Sequence, residues 1–585
     1  MGAFFLYKEN ANVCLPDVSR VFHEKGFDDA AVFQFGNYHI YLYKKQLVHV
    51  ENWIQEKENF LGCIGTVVYK GNGYRESLHA ILKDKLLNNL DETKLRGNFC
   101  LLFYTKNNLE ILNDKLNVQH LFTDKEESFL TSSFLAAAYA IPGQITINRR
   151  VAIEKLLTGY TIGPETLFQE VYHISRTKRR KSSWHFMNGE DFTIPKDEGK
   201  NIAKNAKNRC AKISEYLKDI EKLKNEYSPE IGLSDGYDSR TLYAATMSVW
   251  KQSIAVHTHC TEGARAHEEE KAVVRVMAPE MGSELTMVPT KSMPDYKENE
   301  IEEILRDGFY FFDGRCAYNM GAFSPVYTRK YKIATAKNNK LTLNGLGGEM
   351  YRNYYLTLKP VLNVKQWMKC HVYPSTIDNV LSKSNFKTIH TGICNKIEAE
   401  LGIHWKKIIR NFHMRRFYSE VVMPDCDALN CNAHNQMLFY ITPFIEWDMI
   451  QDAYKSRKAL GAFGELQAKM MYDFNAKVAE YPSHYGFKFS DKPPAKYKLY
   501  TLARGFAPDA VLNYHSRKVI DKSDKEKVYF EKTKEKCAYL KDASDFIETL
   551  FPEINFDQLR KDYAMMPNSV YVSVMLYEMR DKIAQ

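Results

Sequence analysis

The fold of this chain is decided by one stretch, Glu230-Ile231-Gly232-Leu233-Ser234-Asp235-Gly236-Tyr237-Asp238-Ser239-Arg240. A short apolar strand enters a turn of small residues, and a helical run, 241–250, follows the turn. The first N–H groups of a helix have no partners within the helix, and the helix dipole is positive at that end. The stretch therefore predicts an anion-binding turn, in which Ser234 and Ser239 offer hydroxyl donors and Gly236 lets a ligand approach the backbone closely.

Asp238 adds a carboxylate where a Mg²⁺ ion that bridges phosphate groups needs an oxygen ligand. The turn 234–239 resembles the Ser-Gly-Gly-x-Asp-Ser pyrophosphate loop of the ATP-pyrophosphatase superfamily and departs from it at Asp235, where the family has Gly. The resemblance implies ATP and Mg²⁺ as ligands. We expect the charge of Asp235 to weaken pyrophosphate binding unless it faces Mg²⁺ or solvent. An ordinary strand-turn-helix junction with capping residues is the alternative interpretation.

A second glycine-rich turn, 344–350, follows the apolar strand 341–343. Turns at strand ends are where open α/β sheets place their ligands. This one resembles the Gly-x-Gly-(Ser/Ala)-Asp loop of class B asparagine synthetases, with Glu349 in the position of the Asp. The resemblance implies that Asp238 and Glu349 share Mg²⁺.

The resemblance also implies a set of nucleotide-binding residues. The segment 255–259 is expected to be the neighbouring strand, whose backbone lies against adenine in the family. The implied nucleotide-binding residues are Leu233, Ser234, Gly236, Tyr237, Asp238, Ser239, Val256, His257, Gly345 and Gly347. His257 and His259 fall on one strand face, so a zinc pair is an alternative, although no further ligand lies at close spacing. Glu268-Glu269-Glu270 is interpreted as the structural start of the next helix.

The sequence before about residue 190 consists of short β-rich runs separated by turns. The runs are Ala3 to Tyr7, Ala31 to Phe35, His39 to Tyr43, Cys63 to Tyr69, Phe99 to Tyr104 and Leu109 to Asn113, with a helix at Glu76 to Asn88. Segments 95–99, 113–115 and 131–133 resemble landmarks of the glutaminase half of asparagine synthetases. Residues 1–195 are therefore expected to form a degenerate Ntn-hydrolase-like αββα sandwich. The family's nucleophile is Cys at position 2, and Gly2 stands there, which implies a domain that does not hydrolyse glutamine.

The character of the sequence changes at about residue 196. Long helical segments, such as 200–226, alternate with short apolar strands at 230–233, 253–258 and 340–343. Such alternation predicts a parallel α/β sheet. Residues 196–585 are expected to form a Rossmann-like PP-loop synthetase domain with a large helical C-terminal part. Segment 442–448, which serves in packing in the family, and segment 479–489 extend the resemblance.

Composition narrows the class of protein. The 585 residues are 44% hydrophobic and carry a formal net charge of +9, and the composition is typical of a globular protein. The charge fits acidic ligands such as nucleotides, but it is not by itself the signature of a nucleic-acid-binding protein, and a nucleic-acid partner is not expected. The basic cluster 178–181 is expected to be a solvated hairpin loop, with an RNA or membrane patch as the alternative. No apolar run is long enough to span a membrane. The 11 cysteines show no CxxC pair, which indicates reduced thiols and a cytoplasmic location.

Together the motifs indicate an ATP-dependent carbon-nitrogen ligase that releases AMP and pyrophosphate. Such an enzyme adenylates a substrate carboxylate and transfers the acyl group to an amine or to free ammonia. The substrate is expected to be a small molecule or peptide that bears the carboxylate, with the amine on the same or another molecule. The β-lactam synthetases and lasso peptide cyclases, related folds without a working glutaminase, are precedents for an amine acceptor and for an intramolecular cyclase.

The residues of the transfer step are less well defined. The resemblance implies a catalytic lysine from the helical region, and Lys458 and Lys469 lie in the matching stretch. In the family, the residue between the first two glycines of the second turn is Glu or Tyr and takes part in proton transfer. Here it is Leu346, so Tyr351 and Glu446 are candidates for the base.

Two other classes of protein stay open at this point. A nucleotide-binding pseudoenzyme or scaffold is suggested by Asp235, Leu346 and Gly2. A tRNA-modifying ATP-pyrophosphatase would share the turn 234–239 and could use the basic cluster 178–181. The sequence does not decide the oligomeric state, and a homo-oligomer or a partner protein is compatible with it.

Overall fold

The computed structural model describes most of the chain. It covers residues 2–187, 193–262, 265–315, 323–355, 358–373, 377–404, 408–508, 510–512, 514, 515, 518, 524–562 and 565–584. Within these ranges the strands form antiparallel sheets up to residue 173 and a parallel sheet from residue 229 onward. None of the described helices is both long and apolar enough to cross a bilayer.

Two antiparallel sheets form the first part of the fold. The strands are Ala3–Lys8 (β1), Ala31–Phe35 (β2), Tyr38–Tyr43 (β3), Trp53–Glu56 (β4), Asn59–Gly65 (β5), Val68–Tyr69 (β6), Leu95–Arg96 (β7), Phe99–Thr105 (β8), Asn108–Asn113 (β9), Phe122–Thr123 (β10), Phe129–Thr131 (β11) and Tyr172–His173 (β12). The larger sheet has the order β12-β10-β11-β1-β3-β2 and the smaller β4-β5-β8-β9, while β6 pairs with β7.

The two antiparallel sheets pack face to face. Because side chains alternate across a strand, Phe4 and Leu6 of β1 lie on one face and share a buried core with Leu102 of β8. The opposite faces pack against helices Leu15–Glu24 and Tyr74–Leu86, whose apolar residues belong to a second core. The first part is thus layered as helix, sheet, sheet and helix.

A parallel sheet forms the centre of the second part. The strands that follow β12 are Pro229–Gly232 (β13), Ala255–Thr261 (β14), Leu285–Thr290 (β15), Leu341–Leu343 (β16), Val361–Asn363 (β17), Ile408–Arg410 (β18) and Phe439–Ile441 (β19). Strands β17 and β18 form an antiparallel pair, and the other five form a parallel sheet with the order β15-β14-β13-β16-β19. The predicted parallel α/β sheet is confirmed. The strand order runs from β13 through β14 to β15 on one side and from β16 to β19 on the other, so it reverses between β13 and β16. Sheets of this kind bind their ligands at the carboxyl ends of the strands where the order reverses.

Helices surround both sheet systems and dominate the sequence after β16. The α-helices are Leu15–Glu24, Tyr74–Leu86, Phe134–Ala140, Arg149–Thr158, Arg176–Arg179, Ile202–Asp219, Glu221–Glu226, Tyr237–Trp250, Arg265–Glu280, Glu298–Phe311, Arg329–Ala336, Val364–His371, Ile377–Val380, Lys383–Leu401, Asn411–Phe417, Ala428–Asn435, Trp447–Tyr454, Glu465–Phe474, Ala476–Ala479, Ala495–Phe506, Lys525–Lys536, Ala538–Leu550, Phe556–Leu559 and Met565–Glu578. A π-helix, Tyr418–Asp427, joins two of them.

Three local predictions are wrong in detail. The predicted strand 63–69 is interrupted after Gly65, and the predicted helix 200–226 is two helices that meet at Ile220. The basic cluster 178–181 is not a solvated hairpin loop. Arg179 ends a short helix and is buried, and Lys178 pairs with Glu127 at 2.7 Å.

Buried polar contacts join the two parts of the chain. The carboxylate of Glu446 accepts hydrogen bonds from the backbone N–H of Gly97, at 2.9 Å, and from the hydroxyl of Tyr216. The Nζ atom of Lys45 lies 3.2 Å from the side-chain oxygen of Asn435, and burial holds the pKa of Lys45 well below its usual value. Breaking these contacts would leave buried polar groups unpaired, which is costly.

Arg240 ties the segment 478–489 to the first turn. Its side chain is fully buried. The guanidinium donates to four backbone carbonyls, those of Val478 at 2.5 Å, Pro482 at 2.8 Å, Tyr481 at 3.0 Å and Asp235 at 3.2 Å. Because Arg240 directly follows the turn 234–239, these contacts hold the segment 478–489 beside that turn.

We expect Arg240→Met to destabilise the protein by roughly 3–5 kcal/mol, because the buried carbonyls lose their donor. Thermal unfolding should show a midpoint lower by roughly 5 °C or more. Arg20→Met is the matched control, since the Arg20 side chain is 52% exposed and its loss should leave the midpoint nearly unchanged. Equal midpoints for the two variants would contradict the role assigned to Arg240.

Candidate nucleotide-binding site

A cavity of about 400 Å³ opens at the carboxyl ends of β13, β14 and β16. The predicted nucleotide-binding residues that line it are Leu233, Ser234, Gly236, Tyr237, Asp238, Ser239, His257 and Gly345. Two others do not line it. Val256 is buried inside β14, and Gly347 faces the segment 443–445, where a Cβ atom would lie 2.5 Å from Ile445. Gly347 therefore serves in packing.

The first turn carries the geometry of an anion-binding site. The hydroxyl oxygens of Ser234 and Ser239 lie 2.8 Å apart, and the hydroxyl of Ser239 accepts the N–H of Ser234 at 3.0 Å. Gly236 caps the helix Tyr237–Trp250 and donates its N–H to the hydroxyl of Ser234 at 3.2 Å. Two hydroxyl groups and a helix N-terminus thus meet at one side of the cavity.

Asp235 is turned away from this cradle and has a partner of its own. Its carboxylate accepts the ring Nδ1–H of His484 at 2.8 Å and the backbone N–H of His484 at 2.7 Å. The hydrogen bond to Asp235 raises the pKa of His484, which favours the imidazolium form. We therefore expect His484, rather than Mg²⁺ or solvent, to offset the repulsion between Asp235 and pyrophosphate.

Glu270 lies on the same wall of the cavity. Burial and the charge of Asp235 raise the pKa of Glu270 to about 7. The prediction that residues 268–270 begin a helix holds in part, since the helix begins at Arg265. The interpretation of these residues as structural stays a prediction, but Glu270 lines the cavity, and a carboxyl group with a raised pKa there is a candidate for a functional role.

The second turn touches the first through glycine. A Cβ atom at Gly345 would lie 2.7 Å from the backbone of Asp238 and Ser239, and one at Gly348 would lie 2.5 Å from the Asp238 carboxylate. Residues with side chains would force the turns apart. The glycines therefore bring Glu349, which follows directly, to the same side of the cavity as Asp238.

Asp238 and Glu349 meet around the guanidinium of Arg352. One guanidinium nitrogen contacts Asp238 Oδ1, and the other lies 3.6 Å from Glu349 Oε1. Gln467 donates to the same Asp238 oxygen at 2.8 Å, and Tyr418 donates to Glu349 Oε2 at 3.1 Å. Burial and the charge of Asp238 raise the pKa of Glu349 to about 7, and the two carboxylates raise the pKa of Arg352 against the effect of burial.

The two carboxylates suit the magnesium ion that the resemblance implies. Mg²⁺ prefers oxygen ligands and is commonly held by one or two carboxylates together with substrate phosphates. Within the described ranges, no group of three or more His, Cys, Asp or Glu side chains is placed to hold a metal. A metal at Asp238 and Glu349 would therefore take its remaining ligands from phosphate oxygens or water. Among the described residues, no third His, Cys, Asp or Glu side chain joins His257 and His259 in such a group.

A buried ionic network forms the floor of the cavity below the first turn. Glu230 accepts hydrogen bonds from Lys332 at 2.5 Å, from Thr342 at 2.7 Å and from the ring of His257 at 3.0 Å. Burial alone would raise the pKa of Glu230, but the charge of Lys332 and the contact with His257 hold it well below its usual range. Lys332 lines the cavity and is a cation that the sequence analysis did not predict.

The lysines predicted for catalysis lie outside the cavity. Lys469 pairs with Asp473 on an exposed helix face, and Lys458 is exposed. The same helix instead presents Gln467 to Asp238. The structure therefore does not bring Lys458 or Lys469 to the cavity.

The residues proposed as a base are also elsewhere. Tyr351 is buried, with its hydroxyl 3.5 Å from the carbonyl of Met449, and Glu446 faces Gly97 and Tyr216. Burial raises the pKa of Glu446 to about 8, but the group lies outside the cavity lining. Leu346 lines the cavity with an aliphatic side chain.

The position of the family's nucleophile has no room for a side chain. Gly2 is buried, and its N–H donates to the carbonyl of Tyr43 at 3.2 Å. A Cβ atom at Gly2 would lie 2.4 Å from the carbonyl oxygen of Lys44 and 2.7 Å from the ring of Phe27. A cysteine at this position would require the neighbouring backbone to move.

No protein-family model matches this chain, and no curated protein matches it. The chemistry of the site therefore follows from its own geometry. The cavity joins an anion cradle, two converging carboxylates and two cations, Arg352 and Lys332, within one enclosure at a sheet switch point. That combination suits a polyphosphate ester whose charge has to be balanced on several sides.

We expect His484→Ala to weaken ATP binding by about tenfold, because Asp235 then remains buried beside the turn without its cation. The double variant Asp235→Asn with His484→Ala should bind ATP within about threefold of the unmodified protein, since the unpaired charge is removed as well. Calorimetric titration with ATP and Mg²⁺ measures both. An unchanged affinity in the single variant would show that His484 does not neutralise Asp235 for the ligand.

ATP affinity is expected to fall as the pH rises from 6 to 8. Glu270, whose pKa is raised to about 7, is neutral below that value and ionises above it, and His484 loses its proton as the pH rises through its raised pKa. Both changes add negative charge beside the turn, enough for an effect of about three- to tenfold. The ATP affinity of the Glu270→Gln variant should depend clearly less on pH. Because ATP itself titrates in the same way in both experiments, the difference between the two profiles reports on Glu270.

Proposed function

We propose that the protein is an AMP-forming, ATP-dependent amide ligase that adenylates a substrate carboxylate and transfers the acyl group to an amine or to free ammonia. The observation that carries the proposal is the convergence of Asp238 and Glu349, from two separate glycine-rich turns, beside the cradle of Ser234 and Ser239. A site for nucleotide binding alone does not require two carboxylates next to the phosphate cradle.

The proposal extends to the origin of the two parts of the fold. The layered antiparallel sheets support an Ntn-hydrolase-like αββα sandwich for residues 1–195. The parallel sheet and its switch point support a Rossmann-like PP-loop synthetase domain for residues 196–585. We also propose a cytoplasmic location, because the nine cysteines whose side chains are described are not in disulfides, as in a reducing compartment.

In the first half-reaction, a carboxylate oxygen of the substrate attacks the α-phosphorus of ATP, and the bond to pyrophosphate breaks. The hydroxyls of Ser234 and Ser239 and the helix that begins at Tyr237 hold the departing pyrophosphate. A bound Mg²⁺ ion, with Asp238 and Glu349 as ligands, would supply neutralisation of the phosphate charge. The side chains around the turn orient the phosphates and keep water from the reacting phosphorus.

In the second half-reaction, an amine attacks the acyl carbonyl of the adenylate, and AMP leaves. Lys332 is the candidate to stabilise the developing oxyanion, because it is a basic residue among those that line the cavity. Leu346 cannot accept a proton, so we propose that the amine arrives as the free base and that the proton it loses on forming the amide passes to water. Since Gly2 leaves no space for a thiol, the nitrogen is proposed to come from the acceptor substrate.

A nucleotide-binding pseudoenzyme is the second candidate. The aliphatic Leu346 and the contact of Arg352 with both acids favour it, because a site already neutralised by an arginine needs less metal. The two candidates differ in turnover. A pseudoenzyme binds ATP without releasing pyrophosphate, whereas the ligase releases pyrophosphate with the acid it adenylates.

We expect exchange of labelled pyrophosphate into ATP that depends on one carboxylic acid from a panel of amino acids, peptides and sugar acids. Asp238→Asn should lower this exchange by about 10²–10³-fold, because a charged group at the phosphates is lost. Lys469→Ala is the control and should retain it, since Lys469 lies on an exposed helix face. Binding of ATP with no exchange for any acid would favour the pseudoenzyme.

A further inference from the structure

Arg352 occupies the space between the two acids of the candidate site. It follows the short helical turn Gly348–Tyr351 directly, so the second glycine-rich turn delivers both Glu349 and Arg352 to the cavity. Its guanidinium contacts Asp238 Oδ1, lies 3.6 Å from Glu349 Oε1 and donates to Gln467 at 3.1 Å. One oxygen of each carboxylate therefore points at this guanidinium.

The backbone of Arg352 is anchored while its guanidinium is held by side chains. Arg415 donates to the backbone carbonyls of Met350, at 2.6 Å, and Arg352, at 3.5 Å. The guanidinium carbon lies 5.6 Å from the ring centre of Tyr237 and 6.0 Å from that of Tyr354. The aromatic rings limit the directions in which the guanidinium can move, because it is favourable for an arginine to stay against their faces.

A comparison with Arg240 shows what is unusual about Arg352. Arg240 is also buried, but its donors are taken by four backbone carbonyls, which cannot leave. The Arg352 guanidinium instead contacts the side chains of Asp238, Glu349 and Gln467. Two of them are the anions that a divalent cation would also bind. A metal at these oxygens and the guanidinium therefore compete for the same place.

We propose that Arg352 is an exchangeable internal cation. In the chain without nucleotide it neutralises Asp238 and Glu349, and when a triphosphate enters with a divalent cation it releases both acids to the metal and moves onto phosphate oxygens. This inference rests on the proposed nucleotide site and adds a role for Arg352 in gating metal binding. Arg352 is a positioning residue in this scheme, because it acts by holding and releasing the two acids.

The chemistry of the three groups supports the exchange. A guanidinium binds carboxylate and phosphate oxygens in the same forked geometry, so it loses little on moving from one to the other. Mg²⁺ binds best where one or two carboxylates and phosphate oxygens are present together. A metal that binds without a nucleotide would displace Arg352 and leave its guanidinium without an anion. When a nucleotide enters with the metal, the two carboxylates bind the metal and the guanidinium binds the phosphate oxygens.

The test is the affinity of the nucleotide-free protein for Mn²⁺, followed by the electron spin resonance signal of the free ion. We expect Arg352→Met to bind Mn²⁺ at least about tenfold more tightly than the unmodified protein, because the competing cation is gone. Arg352→Lys keeps the charge and should stay within about threefold of the unmodified protein. Adding Asp238→Asn to Arg352→Met should abolish the gain, which locates the metal at this site.

A second measurement covers the case in which Arg352→Met does not fold. Crystals of the unmodified protein grown without ligand should show the guanidinium between Asp238 and Glu349, and crystals with Mn²⁺ and a non-hydrolysable ATP analogue should show it on phosphate oxygens. The proposal is overturned if Arg352→Met folds and binds Mn²⁺ no more tightly, or if the guanidinium stays on the two acids in the complex. Because the Mn²⁺ titration requires neither ATP nor turnover, its result is independent of the failure of the ligase proposal.

Discussion

The candidate site depends on a contact between two backbone segments that no side chain could replace. Gly345 and Gly348 lie against Asp238 so closely that a Cβ atom on either would overlap it. The contact is possible because β13 and β16 are neighbours in the parallel sheet and their turns leave on the same edge. Asp238, Glu349 and Arg352 are placed by this junction, since Asp238 belongs to the first turn, Glu349 belongs to the second turn and Arg352 follows it closely.

Charge in the cavity is balanced in three separate groups. Arg352 faces the acids of the two turns, His484 faces Asp235 at 2.8 Å, and Lys332 faces Glu230 at 2.5 Å. In a partly buried enclosure an uncompensated carboxylate would be costly, and each pair avoids that cost. The three cations come from different elements, so the electrostatics of the site are a property of the tertiary structure.

Local sequence was sufficient for some parts of the site and insufficient for others. The turns 234–239 and 344–350 were predictable because each is a continuous strand-turn-helix signal. Lys332 and Arg352 were missed because their partners, Glu230 and Asp238, lie more than 100 positions away. His484 lay within a segment recognised only as a resemblance, and its effect on Asp235 depends on the four carbonyl contacts of Arg240.

The prediction of Lys469 shows a different limit. The helix Glu465–Phe474 does reach the cavity, but it does so with Gln467. Residues two positions apart on a helix point in clearly different directions, so a stretch matched by sequence alone does not identify the residue that faces a ligand. In the fold as a whole, most strands and the parallel sheet were predictable from the sequence pattern, whereas the interruptions at Gly65 and Ile220 depend on packing that a local pattern does not contain.

The buried contacts between the two parts of the chain have a consequence for how this sequence can change over time. Lys45 and Gly97 each hold a polar group that belongs to the later part, at Asn435 and Glu446. Substitutions at Lys45 and Gly97 would remove or disturb these hydrogen bonds to Asn435 and Glu446, so both positions are constrained whether or not the first part is catalytic. A descendant protein that used only the candidate nucleotide cavity would still need the antiparallel sheets, because they supply the partners of these buried polar groups.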